Sequence, residues 1–402
     1  MEPYLLDWAN LLLRWLHMIT AIAWIGASFY FVWLDNSLEK PLTADARARG
    51  VDGELWAVHG GGFYNPQKYM VAPRTMPANL HWFYWEAYST WLSGFALLTV
   101  MYLFNASAFL VDRAVLDWSP AAAIAGALVY LALGWIFYHL ICRGFGDRVG
   151  GDRLVGILVS VYVVVATWVA CQLFAGRAAF LLTGAMLATI MSANVLMVII
   201  PGQRKVIAQM KAGEPVDPIH GRRGKQRSVH NTYFTLPVLV AMISNHYGML
   251  YQGPHNWLVL VALMLAGVLI REFFLRRHKG RIEWRWWAGG IALVAAVAVG
   301  IATQRPAAAD AVASLPEAAA GPVGIAEVSA VLAQRCVVCH SEVVAQKNVR
   351  LDAPAEIARN ASLIHQQVVI SRLMPLNNAT AMTEAERAMI ARWFAQGAPS
   401  EP

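Results

Sequence analysis

The chain has 402 residues, 58% of them hydrophobic and 14% charged, with a mean hydropathy of +0.46. That is too apolar for an ordinary soluble protein and too long for one domain, so most of it is expected in a membrane. Lys and Arg number 32 against 25 Asp and Glu, yet the cations gather between apolar stretches and not on one continuous surface, which argues against nucleic acid as a partner.

Apolar stretches long enough to cross a bilayer as helices, about 20 residues each, fall at 8–34, 84–110, 121–141, 154–175, 178–201, 233–252, 256–275 and 285–302. The predicted fold is all-α: a polytopic transmembrane helix bundle of about eight spans, then a small C-terminal domain whose Cys336, Cys339 and His340, in a C-x-x-C-H pattern, read as cytochrome c. Trp and Tyr near several span ends suit the lipid interface. The N-terminus has no basic n-region and no A-x-A cleavage site, so the first span reads as an uncleaved anchor. Basic residues collect in alternate connections: Lys40, Arg47, Arg49, Lys68 and Arg74; Arg143, Arg148 and Arg153; seven from Arg204 to Arg227; six from Arg271 to Arg285. The opposite connections hold Arg113 and Arg177, and Arg305 opens the segment after the last span. By the positive-inside rule, the N-terminus and the tail are predicted outside the cytoplasm.

Residues 1–302 thus form the membrane region, and 303–324, "TQRPAAADAVASLPEAAAGPVG", is an Ala/Pro-rich linker to a domain at 325–402. Within "RCVVCHSE", Cys336, Cys339 and His340 form the C-x-x-C-H attachment pattern of haem c, in which two thiols bind the vinyl groups and the imidazole ligates iron. Covalent attachment takes place on the side to which the tail is assigned. A helix over "IAEVSAVLAQRC" precedes the motif. A second, capped by Thr383 with Glu386 three residues on, closes the chain with Met389, Ile390, Trp393 and Phe394 on one face. For the second axial ligand Met374 in "SRLMPLNN" is preferred. Met382 suits a hydrophobic staple, Met389 belongs to the helix face, and His365 is the competitor that would give a bis-His site. Cys142 and Cys171 read as structural thiols.

Ionisable groups inside spans are costly and usually functional. His17 and His246 fall toward the outer leaflet, and His81, His139 and His230 toward the cytoplasmic end, with His59 in the adjoining loop. Two histidine layers suggest stations for redox centres, with haem b a further candidate cofactor; taken singly, each is as well explained by hydrogen bonds to a neighbouring helix. Arg14, Glu86, Asn194, Asn245 and Glu272 are further polar candidates, and "HGGGFYN" from His59 is either an anion-binding glycine turn or a flexible loop. No H-E-x-x-H, P-loop or G-x-G-x-x-G pattern is present, so zinc, ATP and nicotinamide chemistry is unsupported.

The stretches "HMITAIAWIGASFYFVWLDNSL", "LWAVHGGGFYNPQKYMVAP", "MPANLHWFYWEAYSTWLSGFALL" and "HNTYFTLPVLVAMISNHY", followed by the C-x-x-C-H tail, resemble the integral-membrane, cytochrome c-linked urate oxidases of bacterial purine degradation. The resemblance covers essentially the whole chain. It implies oxidation of urate to 5-hydroxyisourate in the bacterial inner membrane, with electrons passing to haem c and on to a soluble cytochrome c or terminal oxidase, and without hydrogen peroxide. The basic cytoplasmic loops suit an anion, which makes His59, His81, Glu86, His139 and His230 the candidate substrate end, with a general base among the histidines. His17 and His246 then lie on the outward electron route. An outer-leaflet active site is the rival placement. A quinol- or b-haem-linked electron conduit with no urate chemistry is the alternative function.

Replacing both Cys336 and Cys339 with Ala is expected to abolish haem staining after denaturing electrophoresis while the apolar region still inserts. A surviving haem-stained band defeats the attachment assignment.

Overall fold

The computed structural model describes residues 2–70, 73, 76–303 and 321–400. Arg74, Arg305 and the 304–320 part of the linker lie outside the described residues. The fold is 71% helical and 3% strand, so the all-α class holds. The helices are α1 (Glu2–Ser37), α2 (Ala44–Ala48), α3 (Trp85–Leu98), α4 (Ala106–Phe109), α5 (Pro120–Phe145), α6 (Gly151–Leu173), α7 (Gly176–Asn194), α8 (Ile200–Lys211), α9 (Pro218–Ile243), α10 (Asn256–His278) and α11 (Trp284–Thr303). The tail adds α12 (Ile325–Arg335), α13 (Pro354–Arg359), α14 (Ala361–Ile364) and α15 (Glu384–Ala395).

Six helical runs are long and apolar enough to cross a membrane, beginning at Tyr4, Pro120, Gly151, Gly176, Asn256 and Trp284. Two of the eight expected spans are of a different kind. The stretch 84–110 is α3, prolonged by a π-helical turn over Thr99–Leu103 and broken at Asn105. The stretch 233–252 is the second half of α9, which starts at Pro218, carries Arg222, Arg223, Lys225 and Arg227 in its first half, and ends in the 3-10 turns Ser244–His246 and Gly248–Leu250. Both still run the height of the bundle. At one end the Arg204 guanidinium lies over the Trp82 ring, and Arg223 pairs with Asp147. At the other, Ala175 N–H donates to Leu110 O, and Asn256 Nδ2 donates to Tyr251 O.

Local chemistry sets the helix starts. Ser119 Oγ accepts from Ala122 N–H ahead of Pro120, and Asp217 Oδ1 accepts from Ile219 N–H ahead of Pro218, each an N-cap followed by a proline that needs no donor. The run from Gly176 through α7 and α8 is central: 61% of its apolar window is buried, against 33% or less in the other five runs. Two glycines admit its neighbours. A Cβ on Gly134 of α5 would meet Met186 Cγ at 2.4 Å, and one on Gly184 of α7 would meet Ala241 Cβ of α9 at 2.8 Å. Small residues at such crossings let backbones approach where lipid gives no hydrophobic drive.

Between α1 and α3, strands β1 (Gly53–Glu54), β2 (Ala57–His59), β3 (Gly62–Tyr64) and β4 (Gln67–Lys68) pair antiparallel as β1–β4 and β2–β3. The His59 glycine run is therefore a tight hairpin, His59 facing Gly62, with Gly60 and Gly61 at φ +58° and +79°. A two-residue turn of this kind needs left-handed residues, which glycine supplies. Buried Glu54 accepts from Leu42 N–H at 2.8 Å and Gln67 Nε2 at 3.2 Å, holding the segment together.

The tail has its own core, with Val328, Leu332, Ile357, Ile390 and Trp393 nearly inaccessible. Thr383 caps α15 as expected, in a reciprocal box with Glu386. The tail sits on the bundle end that holds α4 and the Gly248 turn. Asn377 Nδ2 donates to Ala108 O at 2.7 Å, Gln252 Nε2 donates to Arg372 O at 3.0 Å, and Leu373 packs against the bundle core. Replacing Leu373 with Asp puts a carboxylate into that apolar contact. Faster amide exchange is expected over 248–252 and 372–378, with α12 unchanged; equal exchange in both proteins would refute the docking role.

Candidate functional site

Two groups of residues carry chemistry, one in the tail and one inside the bundle. In the tail, α12 ends at Cys336, which is buried, and the next turn exposes Cys339; both thiols are free. Burial pushes the Cys336 thiol up to about 11 and raises that of Cys339 as well, so both stay protonated near neutral pH. His340 Nδ1 lies 3.1 Å from Val349 O and donates to it, which leaves Nε2 free as a ligand. Met382 is sealed in the tail core, and the His365 ring stacks on Phe394 with centroids 4.2 Å apart. Met374 is half-buried against the same core. Its loop is held from beneath by buried Arg387, whose Nη1 donates to Val368 O at 2.6 Å and to Met374 O at 2.8 Å. Met374 thus sits in the loop that also docks on the bundle through Leu373 and Asn377.

Inside the bundle, His230 of α9 meets Tyr138 of α5, Nδ1 to hydroxyl, at 2.8 Å. Cys142 Sγ lies 3.9 Å from the same nitrogen. Asn194 Nδ2, from α7, donates to Tyr138 OH at 3.0 Å and to Asn231 Oδ1 at 2.9 Å, and Asn231 Nδ2 donates to Met191 O at 3.0 Å. The Arg227 guanidinium lies 4.9 Å from the Tyr138 ring centroid. Arg227 is 4% exposed and Asn194 0%. Arg227 Nε and Nη1 and Asn194 Oδ1 have no hydrogen-bond partner. His139, next to Tyr138, rests on Trp135 with its Nδ1 buried and unpaired.

The other expected site residues lie elsewhere. His17 Nδ1 contacts Thr90 O and Ser93 Oγ, both at 3.1 Å, and pins α1 to α3; a Cβ on Gly94 would meet its ring at 2.8 Å. His59 is exposed beside its hairpin turn, His81 is exposed with its ring edge on Phe83, and His246 is exposed in the turn beneath the tail. Glu86 sits half-buried in the first turn of α3. Of the five residues assigned to the substrate end, only His139 and His230 are brought to the α5–α9 cluster by the contacts of the described residues. Among those residues no group of three or more His, Cys, Asp or Glu side chains is arranged to hold a metal ion.

Sequence reading missed Arg227, Tyr138 and Asn231, because Arg227 counts as a loop cation when α9 is taken to start at 233. The signal was present in Asp217-Pro218, an N-cap and first-turn pair, which places Arg223, Arg227, His230, Asn231 and Phe234 on one helical face.

The model of the family described as urate oxidase N-terminal matches residues 3–302. The chain belongs to the urate oxidase N-terminal family. No curated protein and no solved structure matches it. The family region contains α1 to α11 and the whole Arg227 cluster and stops before the tail, so the likeness to urate oxidases rests on the bundle alone.

Replacing Arg387 with Met leaves Val368 O and Met374 O without their donor. Each lost bond to a charged group is worth about 1.5–3 kcal/mol, so calorimetry is expected to show a lower unfolding temperature for the tail, with the bundle transition unmoved.

Proposed function

We propose that this chain is a membrane-bound urate oxidase that converts urate to 5-hydroxyisourate and passes the electrons to a haem c held by its own tail. The observation that carries the reading is the family match over 3–302, joined to a C-x-x-C-H tail seated on one end of the same bundle. The overall change is urate plus water giving 5-hydroxyisourate, two protons and two electrons, so no hydrogen peroxide is formed. A haem c, held by His340 and Met374, would supply a one-electron acceptor. The residues fit such a group: Cys336 and Cys339 for covalent attachment, His340 Nε2 as one ligand, and Met374 as the second, since Met382 and His365 are committed to packing.

His230 is the base best placed for proton removal, because Tyr138 engages Nδ1 and leaves Nε2 for exchange. His139 shares its surroundings. Two one-electron transfers would be needed, with a soluble cytochrome c or terminal oxidase as the final acceptor, and His17 stands on the outward route. The protein sits in the bacterial inner membrane, with the basic end cytoplasmic and the N-terminus and tail periplasmic, in accord with the charge asymmetry of the connections.

Anaerobic membranes given urate are expected to show reduced c-type absorbance without oxygen, and a chain ending near Gly300 to bind urate but turn it over poorly. If urate leaves the spectrum unchanged while dithionite reduces it, the reading fails.

A further inference from the structure

We propose that Arg227, Asn194 and Tyr138, backed by His230 and Asn231, form the binding site for the oxopurine anion, the guanidinium and the carboxamide oxygen together reading one edge of the planar ring. The ligand class rests on the urate reading above; the site rests on unpaired atoms. Arg227 is nearly inaccessible, yet its Nε and Nη1 have no acceptor. The guanidinium reaches Tyr138, but burying its other two nitrogens without acceptors is costly, and an apolar bundle offers no water to relieve it. Asn194 is fully buried, and its Oδ1 has no donor.

The orientation of that amide is fixed by its neighbours. Asn231 spends its Nδ2 on Met191 O and turns Oδ1 to Asn194. Flipping Asn194 would set oxygen against oxygen, so Nδ2 must face Asn231 and Oδ1 must remain open. The cluster therefore lacks acceptors for two guanidinium nitrogens and a donor for one oxygen.

A carboxylate, which has no donor, repairs only the guanidinium, and a hydrogen phosphate has a donor but no rigid planar edge. An oxopurine anion presents carbonyl or deprotonated nitrogen acceptors beside ring N–H donors on one rigid edge, and it repairs both. Tyr138, His230 and Phe234 pack their rings beside the open atoms, with centroids 5.7–6.4 Å apart. Arg223 stands one turn nearer the basic end on the same face of α9, exposed and paired with Asp147. The other buried guanidinium with unpaired atoms, Arg271, lies over the Phe29 ring at 4.2 Å and has no unpaired amide oxygen beside it among the described residues.

The test is equilibrium dialysis of radiolabelled urate against the full-length protein in detergent under anaerobic conditions, with gel filtration to confirm that each variant remains folded. Arg227→Gln, which loses the charged donors, and Asn194→Asp, which keeps the shape but adds a like charge, are each expected to weaken binding at least tenfold, whereas Arg271→Gln stays within twofold. Xanthine is expected to displace urate and inorganic phosphate is not. If the wild-type protein binds no urate, the functional reading falls and takes this ligand with it. If the wild type binds and the Arg227 and Asn194 variants bind equally well, or phosphate competes as strongly as xanthine, the site assignment falls and the function stands.

Discussion

An apolar bundle gives its polar side chains nowhere to go but one another and the helix backbones, and most of this interior obeys that constraint. Thr90, Thr167, Thr183 and Thr189 each return their hydroxyl to the carbonyl four residues back, and Ser93 does the same to Ser89. Asn231 and Asn194 close a chain of amide bonds from Met191 O to Tyr138. Against that background, the open atoms of Arg227 and Asn194 are a cost the fold carries, shared with others such as Tyr102 OH, Arg177 Nε and Arg271 Nε, but here an unpaired guanidinium and an unpaired amide oxygen belong to one hydrogen-bonded cluster. Buried polar groups left open in a well-satisfied interior mark places where a ligand completes the network.

The bundle that holds this cluster also positions the tail. α9 runs from the basic end, past Arg227 and His230, to the turns at Ser244–His246 and Gly248–Leu250, where Gly248 lies against Leu373. At a rise of 1.5 Å per residue, His230 stands roughly 20 Å from Ile243, the last residue of α9. His17 lies about midway along α1, bonded to Thr90 and Ser93. The tail's own contacts serve both tasks: the loop from Arg372 to Asn378 carries Met374, rests on Arg387, and meets the bundle through Leu373 and Asn377. Docking on the bundle and the placing of Met374 thereby share one short segment.

Much was legible in the sequence because long apolar helices and helix caps are local codes. Long apolar runs gave the helical class. Thr383 with Glu386 announced its capping box, and the apolar face of the last helix its core position. Where apolarity is not uniform along a helix, the run alone misleads. α9 is half basic, so its start was placed 15 residues late, and Arg227 passed for a loop cation. The glycine run at His59 likewise allowed two readings until strand pairing made it a hairpin.

What tertiary structure alone decided is partnership between helices. Periodicity lists the histidines but does not say that His230 meets Tyr138 across α5 and α9, that Asn194 of α7 completes the group, or that His59 and His81 stay at the surface. Nor does it say that Leu373 and Asn377 bind the tail to the bundle. The physical reason is that a residue's own sequence neighbourhood fixes its helix and its face, whereas its partner comes from a helix tens or hundreds of residues away, chosen by how closely Gly134 and Gly184 let the backbones pack.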